Sequence, residues 1–334
     1  MIVQLLPPGG GGVRDYAQGL GQAWLEAGVP CRYIDGRRDD PVRLSTRLAP
    51  DNFEAPLRLV VHFSGYGYGE RGLCQWLVDE LRATRAAWNG RDRVLVVFHE
   101  LFAGGRPWQS AFWLSPIQER IARRMALLAD RLWTNTEHHG AWLRRQRPDL
   151  SVTIQPVFSN VGEHGAGPGW TQRERRALVF GGHGTRLRAL QALKGREGRL
   201  HAWGIDELVH IGNGPDIEIP LDIPQRHLRR LEGEALTAQL HAARFGLLDY
   251  PSRYLGKSGV FAAYAAHGCL TIDTHPERHT VDGLVEGCHY ATLDRAAPPP
   301  EDQRAAMGAQ AEAWYRPHAR ETQARAMLEL LTAR

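Results

Sequence analysis

The segment Tyr250-Pro251-Ser252-Arg253-Tyr254-Leu255-Gly256-Lys257-Ser258-Gly259-Val260-Phe261 holds the residue types best suited to chemistry in this chain. It runs into Ala262-Ala263-Tyr264-Ala265-Ala266-His267-Gly268, a stretch of small residues that reads as a helix. Ser258 and Gly259 then stand at the helix N-terminus, with Lys257 beside them. A cation next to unpaired amides is what a departing diphosphate requires. Lys194 and Lys257 are the only lysines, arginine supplying the rest of the positive side-chain charge, so a lysine here stands out. A solvated lysine before a capped helix is the alternative reading.

Three glycine turns offer related chemistry. Pro7-Pro8-Gly9-Gly10-Gly11-Gly12-Val13-Arg14 separates an apolar run from a helical pattern, so Gly11 and Gly12 could let a ligand approach the backbone and a helix N-terminus. It is not the GxGxxG fingerprint of dinucleotide sites, and no Gly-Lys-Ser/Thr follows as in a Walker loop. Leu178-Val179-Phe180-Gly181-Gly182-His183-Gly184-Thr185-Arg186 repeats the strand, turn and helix logic, and the amides around Gly182 together with Arg186 suit a diphosphate. Val209-His210-Ile211-Gly212-Asn213-Gly214-Pro215 ends a strand in a loop where Gly212 and Gly214 could shape a base pocket. Ordinary tight turns explain each of the three nearly as well. Val96-Val97-Phe98-His99-Glu100 closes a buried strand with two groups fit to bind or deprotonate a hydroxyl. A structural histidine beside a surface glutamate is the plainer account.

These motifs need a scaffold, and the apolar pattern supplies one. Met1–Leu6, Leu57–Phe63, Val94–Phe98, Leu132–Thr134 and Val152–Val157 read as strands, with helices at Tyr16–Ala27 and Ile117–Leu128. Asn160 to Gly169 is glycine-rich and poor in apolar residues, which places a linker there. A second series follows: strands Ala177–Phe180, Leu208–Ile211, Phe245–Leu248 and Cys269–Ile272, with helices Leu187–Leu193, Ala235–Ala243 and Ser258–His267. Helices near Gln303–Tyr315 and His318–Leu331 close the chain. The fold class is therefore α/β, two Rossmann-like domains facing across a cleft at the carboxyl ends of their strands. The first domain spans 1–162 with a C-terminal helix, 317–334, packing back on it, and the second spans 163–316.

Composition narrows the function classes. At 334 residues, two domains are expected. The net charge is +4 and the pI about 9.0, and the arginine-rich balance suits anionic partners, although GC bias in a genome exchanges lysine for arginine too. No RNA-binding aromatic signature, zinc finger or clear basic helix accompanies it, which argues against nucleic acid. The clusters Arg120, Arg123, Arg124 and Arg144, Arg145, Arg147 suit anionic headgroups or a solvated helix face. Cys31, Cys74, Cys269 and Cys288 form no CxxC pair and read as reduced, buried side chains of a cytoplasmic protein. The N-terminus reads as a strand and not a signal peptide, and no apolar run is long enough to span a membrane. Asp39-Asp40 precedes a proline and does not make a DxD metal motif, so no metal is expected.

The order of motifs resembles the GT-B glycosyltransferases, especially the large retaining family related to glycosyltransferase family 4. Gly11-Gly12-Val13 resembles that family's first glycine loop, and Phe98-His99-Glu100 its histidine-bearing strand end facing the donor sugar. Pro156 to Val161 resembles its lead-in to the hinge. Phe180-Gly181-Gly182 and Ile211-Gly212-Asn213-Gly214-Pro215 resemble the first strand ends of its nucleotide domain, and Tyr250-Pro251-Ser252 with Ala265-Ala266-His267-Gly268 resembles its fifth motif. The final helix, preceded by Trp314 and Tyr315, resembles the segment that crosses back to the first domain.

The resemblance implies transfer of a sugar from a nucleotide-diphospho-sugar to an acceptor, saccharide, lipid-linked or other. It implies retention of configuration, no obligatory metal and no further cofactor. The second domain would hold the donor and the first the acceptor. His99, Glu100, Arg186 and Lys257 become the catalytic candidates, and Gly11, Gly12, Gly182, Gly212, Gly214, Lys257, Ser258 and Gly259 the donor-binding ones. One departure stands out. The family's two glutamates of the fifth motif fall, aligned through Gly268, on Leu255 and Ala263. A non-catalytic homologue acting as a scaffold or partner subunit is the second reading. A cytoplasmic protein, with peripheral contact to the inner membrane face as a further option, fits either.

Overall fold

Apolar runs covered on both faces favour parallel strands joined through helices, and this chain builds two all-parallel sheets from them. The computed structural model describes residues 1–53, 56–88, 92–106, 108–163 and 167–333. The first sheet contains β1 (Ile2–Leu6), β2 (Cys31–Asp35), β3 (Arg58–Phe63), β4 (Arg93–Phe98), β5 (Arg131–Thr134) and β6 (Val152–Ile154), in the order β2-β1-β3-β4-β5-β6. Its helices are α1 (Gly12–Glu26), α2 (Leu44–Arg47), α3 (Gly65–Tyr68), α4 (Gln75–Ala86), α5 (Ser110–Leu128) and α6 (Glu137–Gln146). The second sheet contains β7 (Glu174–Phe180), β8 (Glu207–Ile211), β9 (Gln225–Leu228), β10 (Ala243–Leu248), β11 (Leu270–Asp273) and β12 (Ala291–Thr292), in the order β12-β11-β10-β7-β8-β9. Its helices are α7 (His183–Gln191), α8 (Glu197–Trp203), α9 (Gly233–Ala242), α10 (Gly259–Ala266) and α11 (Glu301–Tyr315), and α12 (Arg320–Thr332) ends the chain.

The chain divides into two units, Met1–Pro156 with Arg320–Arg334, and Val157–Ala319. The stretch read as a linker, Asn160 to Gly169, includes residues 164–166, which lie outside the described residues. In the first unit, alternation along the strands sorts side chains onto two faces. Val3, Leu5, Val61, Phe63, Val96 and Phe98 join Leu77, Val78 and Ile121 of α4 and α5 in one core. The other face carries Gln4, His62 and His99 beneath α1 and α12. α12 is tied to α1 by Trp24 Nε1 donating to the Ala324 carbonyl (2.7 Å) and by Arg320 pairing with Glu26 (3.0 Å). In the second unit, Ala177, Val179, Phe245, Leu247, Leu270 and Ile272 pack with α7, α8 and α11.

Three expectations change. The strand read as Val152–Val157 stops at Ile154, because Pro156 has no N–H for the ladder, and the Val157 amide donates instead to Gly256 (2.7 Å). α5 begins seven residues earlier than Ile117 and carries Pro116 inside it, where the sequence suggests a break. Cys74 and Cys269 are buried, but Cys31 and Cys288 are only half-buried. Among the described residues no helix is long and apolar enough to cross a membrane.

Candidate functional site

In the second sheet the chain leaves β7 through β8 to β9 on one side, and runs from β10 through β11 to β12 on the other. The crevice at the carboxyl ends of β7 and β10 is therefore a switch point, the usual ligand position in an open α/β sheet. Gly181 and Gly182 leave β7 there, and the segment Ser252–Gly259 follows β10. The two meet: a Cβ added to Gly181 would lie 3.2 Å from Val260 Cγ2. Gly212 and Gly214 leave the adjacent β8. Gly212 must be glycine, because a Cβ would stand 2.4 Å from the Gly181 carbonyl oxygen. One strand-end surface thus brings together Gly182, Gly212, Gly214, Lys257, Ser258 and Gly259.

The side chains there divide the work differently from the sequence reading. Arg186 is buried, donating from Nε to the Gly181 carbonyl (3.2 Å) and from Nη2 to the Asn213 carbonyl. It clamps the two glycine loops to each other, and burial draws its guanidinium below the ordinary arginine value. Ser258 accepts from the Phe261 amide (3.2 Å) and is the N-cap of α10, so its hydroxyl holds the helix start. Lys257 ends the 3-10 turn Ser252–Lys257, half-buried, its ammonium 5.6 Å from the Tyr254 ring centre. Leu255 and Ala263, with which the family resemblance aligns two glutamates, are buried in apolar clusters with Phe261 and Tyr264 respectively. A carboxylate at either would be desolvated.

Asp273 is a residue the sequence reading missed. It ends β11, fully buried, and its Oδ1 accepts from the amides of Tyr250 (3.2 Å) and His275 (3.0 Å). It therefore fixes the start of the Tyr250–Gly259 segment. Burial pushes its carboxyl up to about 7, against the two backbone donors that pull the other way. The only available signal was position, an acid directly after a buried strand.

In the first unit Gly11 (φ 119°) lets the chain turn into α1, and Gly12 opens the helix, with open space where either Cβ would be. Arg14 folds back to the Gly9 and Pro7 carbonyls and pairs with Asp35, so it braces this loop. Glu100 is exposed and accepts from the Ser64 hydroxyl (3.0 Å). His99 is buried, and its Nε2 lies 3.1 Å from His62 Nδ1, while His62 Nε2 lies 2.7 Å from Gln4 Oε1. The protons follow from the chain of partners. Gln4 Nε2 donates to the Ala17 carbonyl (2.9 Å), so Gln4 presents its oxygen to His62. His62 then carries its proton on Nε2 and offers Nδ1 as acceptor, so His99 must donate from Nε2. Burial draws His62 down to about 3, which keeps it neutral. Tyr16 meets His99 edge-on at 5.2 Å and donates its hydroxyl to Gln323 of α12 (2.6 Å). Sequence reading singled out His99 but not Gln4, His62 or Tyr16.

A cavity of about 770 Å³ opens at the carboxyl ends of β1, β2 and β3, the switch point of the first sheet. Arg37, Arg38, Asp39, Tyr66, Arg71 and Trp76 are among its lining residues. Arg71 holds a left-handed backbone (φ 54°) because Gln118 of α5 donates to its carbonyl (2.7 Å). Gln118 also donates to Tyr66 Oη (3.2 Å) and accepts from the Ala103 amide (2.8 Å), which makes the rim of this cavity a built feature. Of the arginine clusters, Arg124 pairs with Asp79 (3.0 Å), Arg147 with Asp149 (2.7 Å) and Arg144 with Glu137. Among the described residues no cluster of three or more metal-ligating side chains occurs.

Two parallel six-stranded sheets, each flanked by helices and each with glycine turns at its strand ends, make this chain a protein of the GT-B glycosyltransferase fold. Solved structures agree over its whole length. The chain is similar to an α-glucosyltransferase in complex with UDP and a 13-mer DNA containing a HMU base, at 11% identity over 99% of each chain with a TM-score of 0.59. It is similar to OtsA in the apo state at 11% identity over 100% of this chain and 99% of the other, TM-score 0.57. The GtfA/B complex matches at 13% identity over 86% of this chain and 59% of the other, TM-score 0.54. No family model matches the chain, and no curated protein does.

Proposed function

We propose that this protein transfers a sugar from a nucleotide-diphospho-sugar to an acceptor hydroxyl. The observation that carries the reading is the convergence of Gly181–Gly182, Gly212–Gly214 and the Lys257–Gly259 helix start at one switch point. Helix amides and an ammonium there would take the charge of a leaving diphosphate, stabilising it where charge develops. The full-length likeness to glycosyltransferases, one of them holding UDP, supports the same chemistry. The reaction is read as retaining and independent of metal, with Lys257 and the α10 amides in the place of a divalent ion. With Arg186 engaged on two carbonyls, its part is to hold the glycine loops in register.

The first unit supplies the acceptor side. His99 and Glu100 stand at the end of β4, and the cavity beside β1 to β3 is the acceptor seat. The DNA bound by the α-glucosyltransferase weakens the case against a nucleic-acid acceptor, so DNA belongs among the acceptors tried, beside saccharides and lipid-linked sugars. The reading places the protein in the cytoplasm.

The test is thermal unfolding of the full chain with a panel of nucleoside diphosphates and nucleotide sugars. A selective donor at 100 times its Kd should add about 2.7 kcal/mol of stability, a rise of several degrees. A panel that shifts nothing at millimolar concentration sinks the reading. Binding of a donor without hydrolysis or transfer, on every acceptor class, would favour the scaffold reading that the loss of both glutamates to Leu255 and Ala263 raises.

A further inference from the structure

Four of the eleven exposed large hydrophobic side chains among the described residues lie close together in sequence. Trp108, Phe112, Trp113 and Ile117 are 75%, 41%, 68% and 51% exposed, all within the first two turns of α5 and the turn before it. Large aromatic side chains left in water over a continuous stretch mark an interaction surface. Phe112 and Trp113 pack edge-to-face at 5.3 Å, and Arg106 sits over the Trp108 ring at 5.4 Å. Farther along the same outward face, one and two turns on, come Arg120 and Arg123, both without an ion pair among the described residues. The inward face of α5, with Gln118, Ile121, Ala122 and Met125, is buried. The acids nearby are engaged: Glu119 accepts from Trp142 Nε1 (3.1 Å) and Asp79 pairs with Arg124 (3.0 Å).

We propose that this face of α5 docks on an anionic membrane surface. Tryptophan and phenylalanine suit the headgroup and acyl boundary, where an apolar ring can bury while its polar edge stays wet. Arg106, Arg120 and Arg123 would meet lipid phosphates with their stems lying along the apolar patch. A convex helix face carrying Ile117 beside the aromatic rings fits a lipid boundary better than a nucleic-acid groove, which asks for a concave basic track. Docking would bring the cavity beside β1 to β3, whose rim is held by the same helix through Gln118, to a surface that can offer a lipid-linked acceptor. The docking itself stands apart from the donor site and needs no transfer activity.

The experiment is flotation of the full chain with phosphatidylcholine vesicles containing phosphatidylglycerol, with pure phosphatidylcholine vesicles and a duplex DNA in parallel. The wild-type chain should float with the anionic vesicles and about tenfold less or lower with the neutral ones. Trp108→Ser with Trp113→Ser should reduce partitioning about tenfold or more, since both rings lose their burial in the interface. Arg120→Gln with Arg123→Gln should remove most of the anionic preference, each arginine near such a surface counting about fivefold. All four side chains lie at the surface, so melting temperatures should stay with the wild type, and the single Trp108→Ser, outside the helix, repeats the test if the pair does not. A chain that stays unbound to both vesicle types overturns the proposal. So do variants that float like the wild type, or DNA retention that is lost in the same variants while vesicle binding persists.

Discussion

Three buried side chains, Gln4, His62 and His99, form a directed chain of hydrogen bonds. Gln4 is oriented by the Ala17 carbonyl, orients His62, and through it sets His99 as an Nε2–H donor, at distances of 2.9, 2.7 and 3.1 Å. Nitrogen-15 shifts of selectively labelled histidine should show both rings as Nε2–H tautomers, and His62→Leu should leave His99 a mixture of the two. A pure Nδ1–H signal for His99 in the wild type contradicts the deduction. His62 also links acidity to stability. Burial holds its folded value at about 3, while an unfolded imidazole titrates near about 6.5. Between those values the unfolded chain takes up a proton that the folded chain refuses, so His62 costs stability as the pH falls through that window. Urea unfolding at pH 5 and pH 7.5 should show His62→Gln losing less stability on acidification than the wild type, with its neighbours Tyr16 and His99 unchanged. Equal losses would mean that this imidazole already titrates normally.

Among elements, strand ends and the turns after them carry the candidate site. The glycine turns and the Lys257 helix start were legible because each follows an apolar run, and a small-residue stretch announces α10. What sequence could not supply was strand order. Only the placement of β10 beside β7 brings Gly181 against Val260, and only the β8 neighbour lets Arg186 reach Asn213. Buried polar groups were hidden for the same reason. Gln4, His62 and His99 share a sheet face by the two-residue period, yet their contact depends on the pairing of β1 with β3 and β3 with β4. Pro116 concealed the start of α5, and with it the exposed Phe112 and Trp113. At this scale Asp273 gives a prediction. Its folded carboxyl sits near 7 and an unfolded one near about 3.9, so above the lower value the folded protein holds a proton that the unfolded chain releases. Stability therefore falls as pH rises through that range. Asp273→Asn keeps an acceptor for Tyr250 and His275 and removes the titration, so its melting temperature should gain on the wild type between pH 5 and pH 8. A difference that does not change with pH would place the carboxyl in the normal range.

For the whole molecule, the two units were visible in the repeated strand and helix alternation, and α12 completes the first unit. Gln323, Ala324, Met327 and Leu331 of α12 are buried, with Tyr16 and Trp24 of α1 among the side chains bonded to it. Removing residues 320–334 should cost more than about 5 kcal/mol, near the full stability of a domain, since a single buried Met to Ala change costs about 2–5. A truncated chain that melts within a few degrees of the full one would show that α12 is dispensable. The account as a whole turns on where a donor's phosphates rest. Calorimetric titration of UDP into the wild type and into Lys257→Ala measures that directly, UDP being the ligand held by a glycosyltransferase of the same fold. Removing one charged partner from a diphosphate should weaken binding about tenfold or more. Equal affinity in the two proteins would contradict the account.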